Sequence, residues 1–222
     1  RRVAANVDQV LIVTAAADPA PVLQLIDRLL VVAEADDIPA IVIVNKVDLS
    51  GPDAVERHLA AAGYPILATS VVTGAGIAAL RERLAGQESV LTGPSGAGKS
   101  SLLNAIEPGL GLRVGEISAR VRRGRHTTTT AAMVPIAAGG FVVDTPGFSE
   151  VGVADLEAGV LATLFPEFVA HAGDCRFGDC RHRQEPGCAV REAVAAGEIP
   201  AARHEGYLAI LAELEARPEE WE

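Results

Sequence analysis

"ESVLTGPSGAGKSSLLNAI", residues Glu88 to Ile106, joins a short apolar run, a glycine-rich turn ending in Lys-Ser, and a stretch with apolar residues at helical spacing. That order predicts a strand, a phosphate-binding loop and a helix. The loop runs Gly93, Pro94, Ser95, Gly96, Ala97, Gly98, Lys99, Ser100, with Ser101 opening the helix behind it. Its glycines let backbone N–H groups close around phosphates, and the helix N-terminus adds partial positive charge. Lys99 is placed to reach the β- and γ-phosphates, and the Ser100 hydroxyl to ligate Mg²⁺. The stretch therefore predicts nucleotide binding within an α/β sheet, without choosing the base.

The choice of base comes from upstream. "IVIVNKVDL", Ile41 to Leu49, reads as a buried strand delivering Asn45, Lys46, Val47 and Asp48 at its end. The Asp48 carboxylate can accept two hydrogen bonds, from the ring N–H and the exocyclic amino group of guanine, a pairing adenine cannot supply. Asn45 can bond the base and tether the phosphate loop, while the Lys46 stem lies along the base plane. "ATSVVTGAGIAAL" follows, and its backbone near Ser70 and Val71 is expected to close over the base.

Downstream, "FVVDTPGF" delivers Asp144 toward the Mg²⁺ shell and places the Gly147 N–H to sense a γ-phosphate. Between the two lies "RRGRHTTTTAA", polar and glycine-flanked, which fits a segment ordered when a threonine binds Mg²⁺. Thr128 is the choice from the run Thr127 to Thr130, although four threonines offer no unique register.

GTP-binding proteins ordinarily present the phosphate loop, the switch threonine and DxxG before NKxD. Here Asp48 precedes Gly93 by 45 positions (93 − 48). The expectation is a circularly permuted GTPase domain of the P-loop class, a mostly parallel sheet flanked by helices. Permutation changes little where the original ends lie together at the surface, because the packed sheet is unaltered. In the permuted chain the segment after "DTPG" runs directly into a Cys/His-rich stretch, so the switch is expected to pull on that module as nucleotide changes.

The Cys/His-rich stretch is "CRFGDCRHRQEPGC". All three cysteines of the chain lie in it, an odd number that cannot pair off as disulfides. Cys175, Cys180, His182 and Cys188 make a complete tetrahedral set for one structural Zn²⁺, with His171 an alternative fourth ligand. A loop so poor in apolar residues needs such a staple. Helical patterns follow in "AVREAVAAGEI" and "ARHEGYLAILAELEA". The boundary falls between Phe165 and His171, giving a GTPase domain over 1–165 and a zinc-binding domain over 166–222.

Composition narrows the class. The 222 residues are 49% hydrophobic, yet no stretch approaches the ~20 apolar residues of a membrane span. The start, "RRVAANVDQVLIVTAAADPA", imitates an export signal, but Asp8 and Gln9 interrupt it and "QVLIVT" serves better as a core strand. A cytoplasmic chain without membrane attachment is expected. The lack of an initiating Met points to a fragment or a trimmed chain. The net charge of −10 opposes indiscriminate nucleic-acid binding, so RNA contacts belong to the local basic clusters "RVGEISARVRRGRH" and "CRFGDCRHR".

The permuted order, "GPSGAGKSS", "GRHTTT", "DTPGF" and "CRHRQEPGCAV" together resemble the ribosome small-subunit-dependent GTPase A family, over essentially the whole chain. The resemblance implies GTP hydrolysis to GDP stimulated by the small ribosomal subunit, contact with its rRNA, and a role in late maturation of that subunit. A monomer is expected. The family carries an N-terminal OB-fold that this sequence lacks, which bears on independent ribosome affinity. An ATP-using enzyme would leave "NKVD" idle, and a zinc-containing RNA-binding module would leave the nucleotide motifs idle.

In many GTPases a glutamine after DxxG orients the attacking water; here Phe148 follows Gly147. His126 in "GRHTTT" is the catalytic candidate, with a ribosome-contacting or structural role as the alternative. His126→Ala is expected to lower single-turnover GTP hydrolysis while leaving GTP affinity unchanged. Parallel loss of both would remove the catalytic assignment.

Overall fold

A computed structural model describes residues 7–111, 132–144, 153 and 156–216. Six strands form one sheet: β1 (Gln9–Ala15), β2 (Ala40–Asn45), β3 (Ile66–Ala68), β4 (Gln87–Thr92), β5 (Ala132–Pro135) and β6 (Gly140–Asp144), in the order β3-β2-β1-β4-β6-β5. All pairings are parallel except β5 with β6. Strands β2, β1 and β4 are adjacent and parallel, and their carboxyl ends share one edge of the sheet. Val and Ile runs buried on both faces favour this interior parallel arrangement.

Alternation within β1 divides the two cores. Val10 and Ile12 face one layer, and Leu11 and Val13 face the other. The second layer is covered by α3 (Ile77–Leu84) and α4 (Lys99–Ile106), through Leu80, Leu84, Leu102 and Leu103. The first is covered by α1 (Leu23–Ala35) and α2 (Asp53–Leu59). Residues beyond Pro166 join that same layer as α5 (Pro166–Ala172), α6 (Ala189–Ala196) and α7 (Ala201–Glu215). Phe168, Val190, Tyr207 and Leu211 are buried in one continuous core with α1 and the sheet.

Helix α1 ends without a glycine. Asp37 takes the left-handed conformation (φ 55°), and the Ile38 N–H bonds the Ala33 carbonyl at 2.9 Å, closing the last turn. The strand β5 departs from the sequence reading, which treated Ala132 as the end of a polar segment. Four residues with a terminal Pro give weak periodicity, and the antiparallel edge position tolerates that Pro.

Charge is buried between the helices. Arg203 of α7 donates from Nε to Glu167 Oε1 of α5 at 2.5 Å and from Nη1 to Asp27 Oδ1 of α1 at 2.6 Å. His58 Nε2 of α2 lies 2.6 Å from the same Asp27 oxygen. All four side chains are buried, and the guanidinium also stacks over Phe165 with 4.4 Å to the ring centroid. Burial alone would lower the Arg203 pKa, but the Asp27 and Glu167 carboxylates outweigh it and raise the value, so the guanidinium stays charged. Gly206 makes the approach possible, because a Cβ there would stand 2.1 Å from Asp27 Oδ2.

Removing one partner of such a group leaves the others charged and dry. Arg203→Ala is expected to lower unfolding free energy by about 3–5 kcal/mol, read from the midpoint of urea unfolding followed by circular dichroism.

Candidate functional site

The carboxyl ends of β2, β1 and β4 bring together the two motifs that stand far apart in the chain. Asn45, the last residue of β2, is 2% exposed, and its Nδ2 donates to the Ala97 carbonyl of the phosphate loop at 2.9 Å. Thr69 Oγ1 donates to Asn45 Oδ1 at 3.2 Å, which orients the amide. Gly98, at φ 93°, allows the contact: a Cβ there would lie 2.3 Å from Asn45 Nδ2. Gly93, at φ 137°, presses against the backbone of β1, where a Cβ would meet the Val13 carbonyl at 2.0 Å.

The phosphate loop leads from β4 into α4. Ser95 and Gly96 are exposed, Pro94 is partly exposed, and Ala97 is buried beneath them. Lys99 opens α4, with its Nζ donating to the Gly93 carbonyl at 2.6 Å and the Pro94 carbonyl at 3.0 Å. Those bonds fold the side chain across its own loop. Ser100 is buried in the first turn of α4, beside the partly exposed Ser101. Arg81 of α3 grips the other end of α4, donating to the Ala105 and Ile106 carbonyls at 3.0 to 3.2 Å. A cation on those last carbonyls complements the helix dipole and fixes the axis aimed at the phosphate loop.

The NKVD turn is equally braced. Lys46 is in the left-handed conformation (φ 62°), and its Nζ donates to the Asp18 carbonyl in the turn after β1. The Val47 N–H bonds the Thr69 carbonyl at 3.1 Å. Ser70 Oγ donates to Asp48 Oδ1 at 2.5 Å, and receives the Thr73 N–H at 3.2 Å. The Asp48 carboxylate is thus held by Ser70, and Val71, next in the chain, is 38% exposed. The turn Ser70 to Gly76 is closed by Ser70 N–H to the Ala75 carbonyl at 3.0 Å.

Asp144 ends β6, with its backbone in register with Leu91 of β4. His126, Thr127 to Thr130, including Thr128, and Gly147 and Phe148 lie outside the described residues, as does the whole basic cluster that ends at His126. The readings that rest on them stay expectations.

A second site lies in the C-terminal module. Cys175, Cys180, His182 and Cys188 each offer one ligand atom, all within 4.8 Å of one another. Cys175 Sγ is 3.7 Å from His182 Nδ1 and 4.0 Å from Cys188 Sγ, and His182 Nδ1 is 3.3 Å from Cys188 Sγ. A tetrahedron with metal–sulfur bonds of about 2.3 Å has sulfur–sulfur edges of about 3.8 Å, so the group can hold a metal ion. His182, rather than His171, completes it; His171 Nε2 faces Glu198 Oε2 at 3.9 Å. Burial pushes the Cys180 thiol up to about 12 and the Cys188 thiol up as well, and it lowers the pKa of His182. A cation among them would reverse the thiol preference, while a neutral imidazole already suits a ligand.

The loop is fastened to α7. His204 Nε2 donates to the His182 carbonyl at 2.8 Å, Tyr207 Oη to the Arg181 carbonyl at 2.9 Å, and Arg183 Nη1 to Glu215 Oε2 at 2.7 Å. Sequence reasoning missed these braces, together with Asp18, Arg81, Asp27, His58, Glu167 and Arg203. One signal was visible: Asp27 interrupts "LQLIDRLLVV" on a face otherwise apolar. Among the described residues no helix is long and apolar enough to cross a membrane.

Comparison with known proteins agrees with this geometry. The RsgA GTPase family model matches residues 1–154. The small ribosomal subunit biogenesis GTPase RsgA of Gemmatimonas aurantiaca is 50% identical over 220 residues, covering 98% of this chain and 72% of the relative. Its counterpart from Moorella thermoacetica is 48% identical over 222 residues, covering 98% and 76%. Among solved structures, YjeQ from Thermotoga maritima superposes with a TM-score of 0.78 at 40% identity, covering 96% of this chain and 73% of that one. YloQ, described as a circularly permuted GTPase, gives 0.75 at 32% identity, covering 97% and 71%. With guanine-recognition and phosphate loops joined in permuted order, and relatives matched over nearly its whole length, this chain belongs to the RsgA GTPase family.

Proposed function

We propose that this chain binds GTP with Mg²⁺, hydrolyses it to GDP and phosphate, and acts in late maturation of the small ribosomal subunit, which stimulates the hydrolysis. One observation carries the nucleotide reading: the Asn45 amide is bonded to the phosphate loop at Ala97, so base and phosphate recognition form one pocket despite the permuted order. In this reading Asp48 accepts the guanine N–H groups, Lys46 lies along the base, and the backbone near Ser70 and Val71 covers it. Lys99 exchanges the Gly93 and Pro94 carbonyls for phosphate oxygens when nucleotide arrives. Ser100, Thr128 and Asp144 hold Mg²⁺ or its water shell, Gly147 senses the γ-phosphate, and His126 orients the attacking water.

The C-terminal module, residues 166–222, holds one structural Zn²⁺ through Cys175, Cys180, His182 and Cys188, beside the GTPase domain of residues 1–165. Three thiolates with one imidazole favour zinc over harder cations and leave no open position for bound water. The exposed arginines of that loop are suited to rRNA phosphates. A cytoplasmic monomer fits these roles.

GTP turnover measured with and without purified small subunits tests the whole reading. Strong stimulation is expected, and identical rates would exclude the subunit as activator. For the base, Asp48→Asn is expected to weaken GDP binding by roughly 100-fold, about 3 kcal/mol. Xanthosine diphosphate, whose 2-oxo group can accept from the new amide, should recover part of it by calorimetry. Unchanged GDP affinity would remove Asp48 from the base site.

A further inference from the structure

Within the metal loop one carboxylate has no ligand role yet organises the turn that carries a ligand. Glu185 Oε1 accepts the Arg181 N–H at 2.9 Å, and Oε2 accepts the Arg183 N–H at 2.8 Å and the Gln184 N–H at 3.0 Å. Three backbone donors from residues 181–184 thus converge on one side chain, with His182 at the centre of the wrap. His182 takes the left-handed conformation (φ 56°), which residues with a Cβ adopt uncommonly. The chain returns at once to the cluster: Gly187, at φ 71°, accepts the Arg176 N–H at 2.9 Å, and Cys188 follows as the last ligand.

We propose that Glu185 is a positioning residue for the metal centre, its carboxylate holding residues 181–184 in the strained turn that aims His182 Nδ1 at the ion. The proposal rests on the reading of Cys175, Cys180, His182 and Cys188 as a metal site. On its buried side, the same turn is held by the Tyr207 and His204 bonds to the Arg181 and His182 carbonyls. Those bonds fix where the turn sits on α7. Glu185 fixes how it is curled, because its carboxylate gathers the N–H groups of Arg181, Arg183 and Gln184 on the exposed side of the loop. A neutral amide in its place presents one acceptor oxygen and an NH₂ that repels the N–H donors, so the curl relaxes and the imidazole leaves its place.

The test compares the full chain with Glu185→Gln and with Glu192→Gln, an equal change of charge on the exposed start of α6. Each protein is loaded with Zn²⁺ and challenged with excess chromophoric chelator, and each is loaded separately with Co²⁺ for visible absorption. Glu185→Gln is expected to release zinc about tenfold or more faster and to show an altered cobalt ligand-field spectrum, while Glu192→Gln matches the unsubstituted chain. A fluorescent GDP analogue should bind all three alike. Equal release rates and spectra would overturn the proposal. Loss of GDP binding together with metal would make Glu185 a general folding residue and overturn its local role. An unsubstituted chain that takes up neither ion would overturn the metal reading itself, and this proposal with it.

Discussion

Three adjacent parallel strands, β2, β1 and β4, end at one edge of the sheet, and the nucleotide pocket depends on that register. It places Asn45 against Ala97 and the backbone of Val13 against Gly93, contacts too close for any side chain at Gly93 or Gly98. The constraint concerns neighbours in space and is indifferent to chain order. Parallel pairing of β1 with both β2 and β4 is kept whether the phosphate loop is made first or last. That is why a permuted polypeptide can still set the NKVD turn against the phosphate loop, with the loop after β1 bracing Lys46 through Asp18.

Behind the sheet, the helices following Pro166 share a core with α1. Apolar contact alone would tolerate sliding, since it has little directionality. The Arg203 fork to Asp27 and Glu167, with His58 on the shared oxygen, accepts one arrangement of four helices. Buried ion pairs of this kind often add little net stability over apolar replacements, while breaking one by removing a partner is costly. The aromatic cluster of Phe165, Phe168 and Tyr207 carries that arrangement to the metal loop, where His182 meets Phe168 edge-on at 5.8 Å.

Much of this was legible in the residues. Motifs whose chemistry demands particular types at fixed spacing, the phosphate loop, NKVD and the Cys/His set, stood out, because few other reasons place glycine, lysine or cysteine so. The five parallel strands were legible as Val/Ile runs. What was hidden depends on partners distant in sequence. Asp27 and Arg203 are separated by 176 positions, and neither signals the other. Glu185 reads as an ordinary exposed acid until three N–H groups are seen around it. Helix α5, only seven residues long and introduced by Pro166, has too few turns to show a period. The catalytic assignment of His126 rests on the motif alone, since its segment lies outside the described residues.

The ionic fork between α1, α2, α5 and α7 also limits how such proteins can be recombined. The Cys/His-containing tail, grafted from this chain onto another permuted scaffold, would bring Arg203 and its acceptor Glu167 without the second carboxylate, Asp27. Asp27 and His58 would have to travel with it, to meet the Gly206 that the tail already carries to admit the carboxylate. The unit of inheritance is therefore the set of four helices, and shuffling at the apparent seam near Phe165 is disfavoured by the buried charges as well as by the shared core.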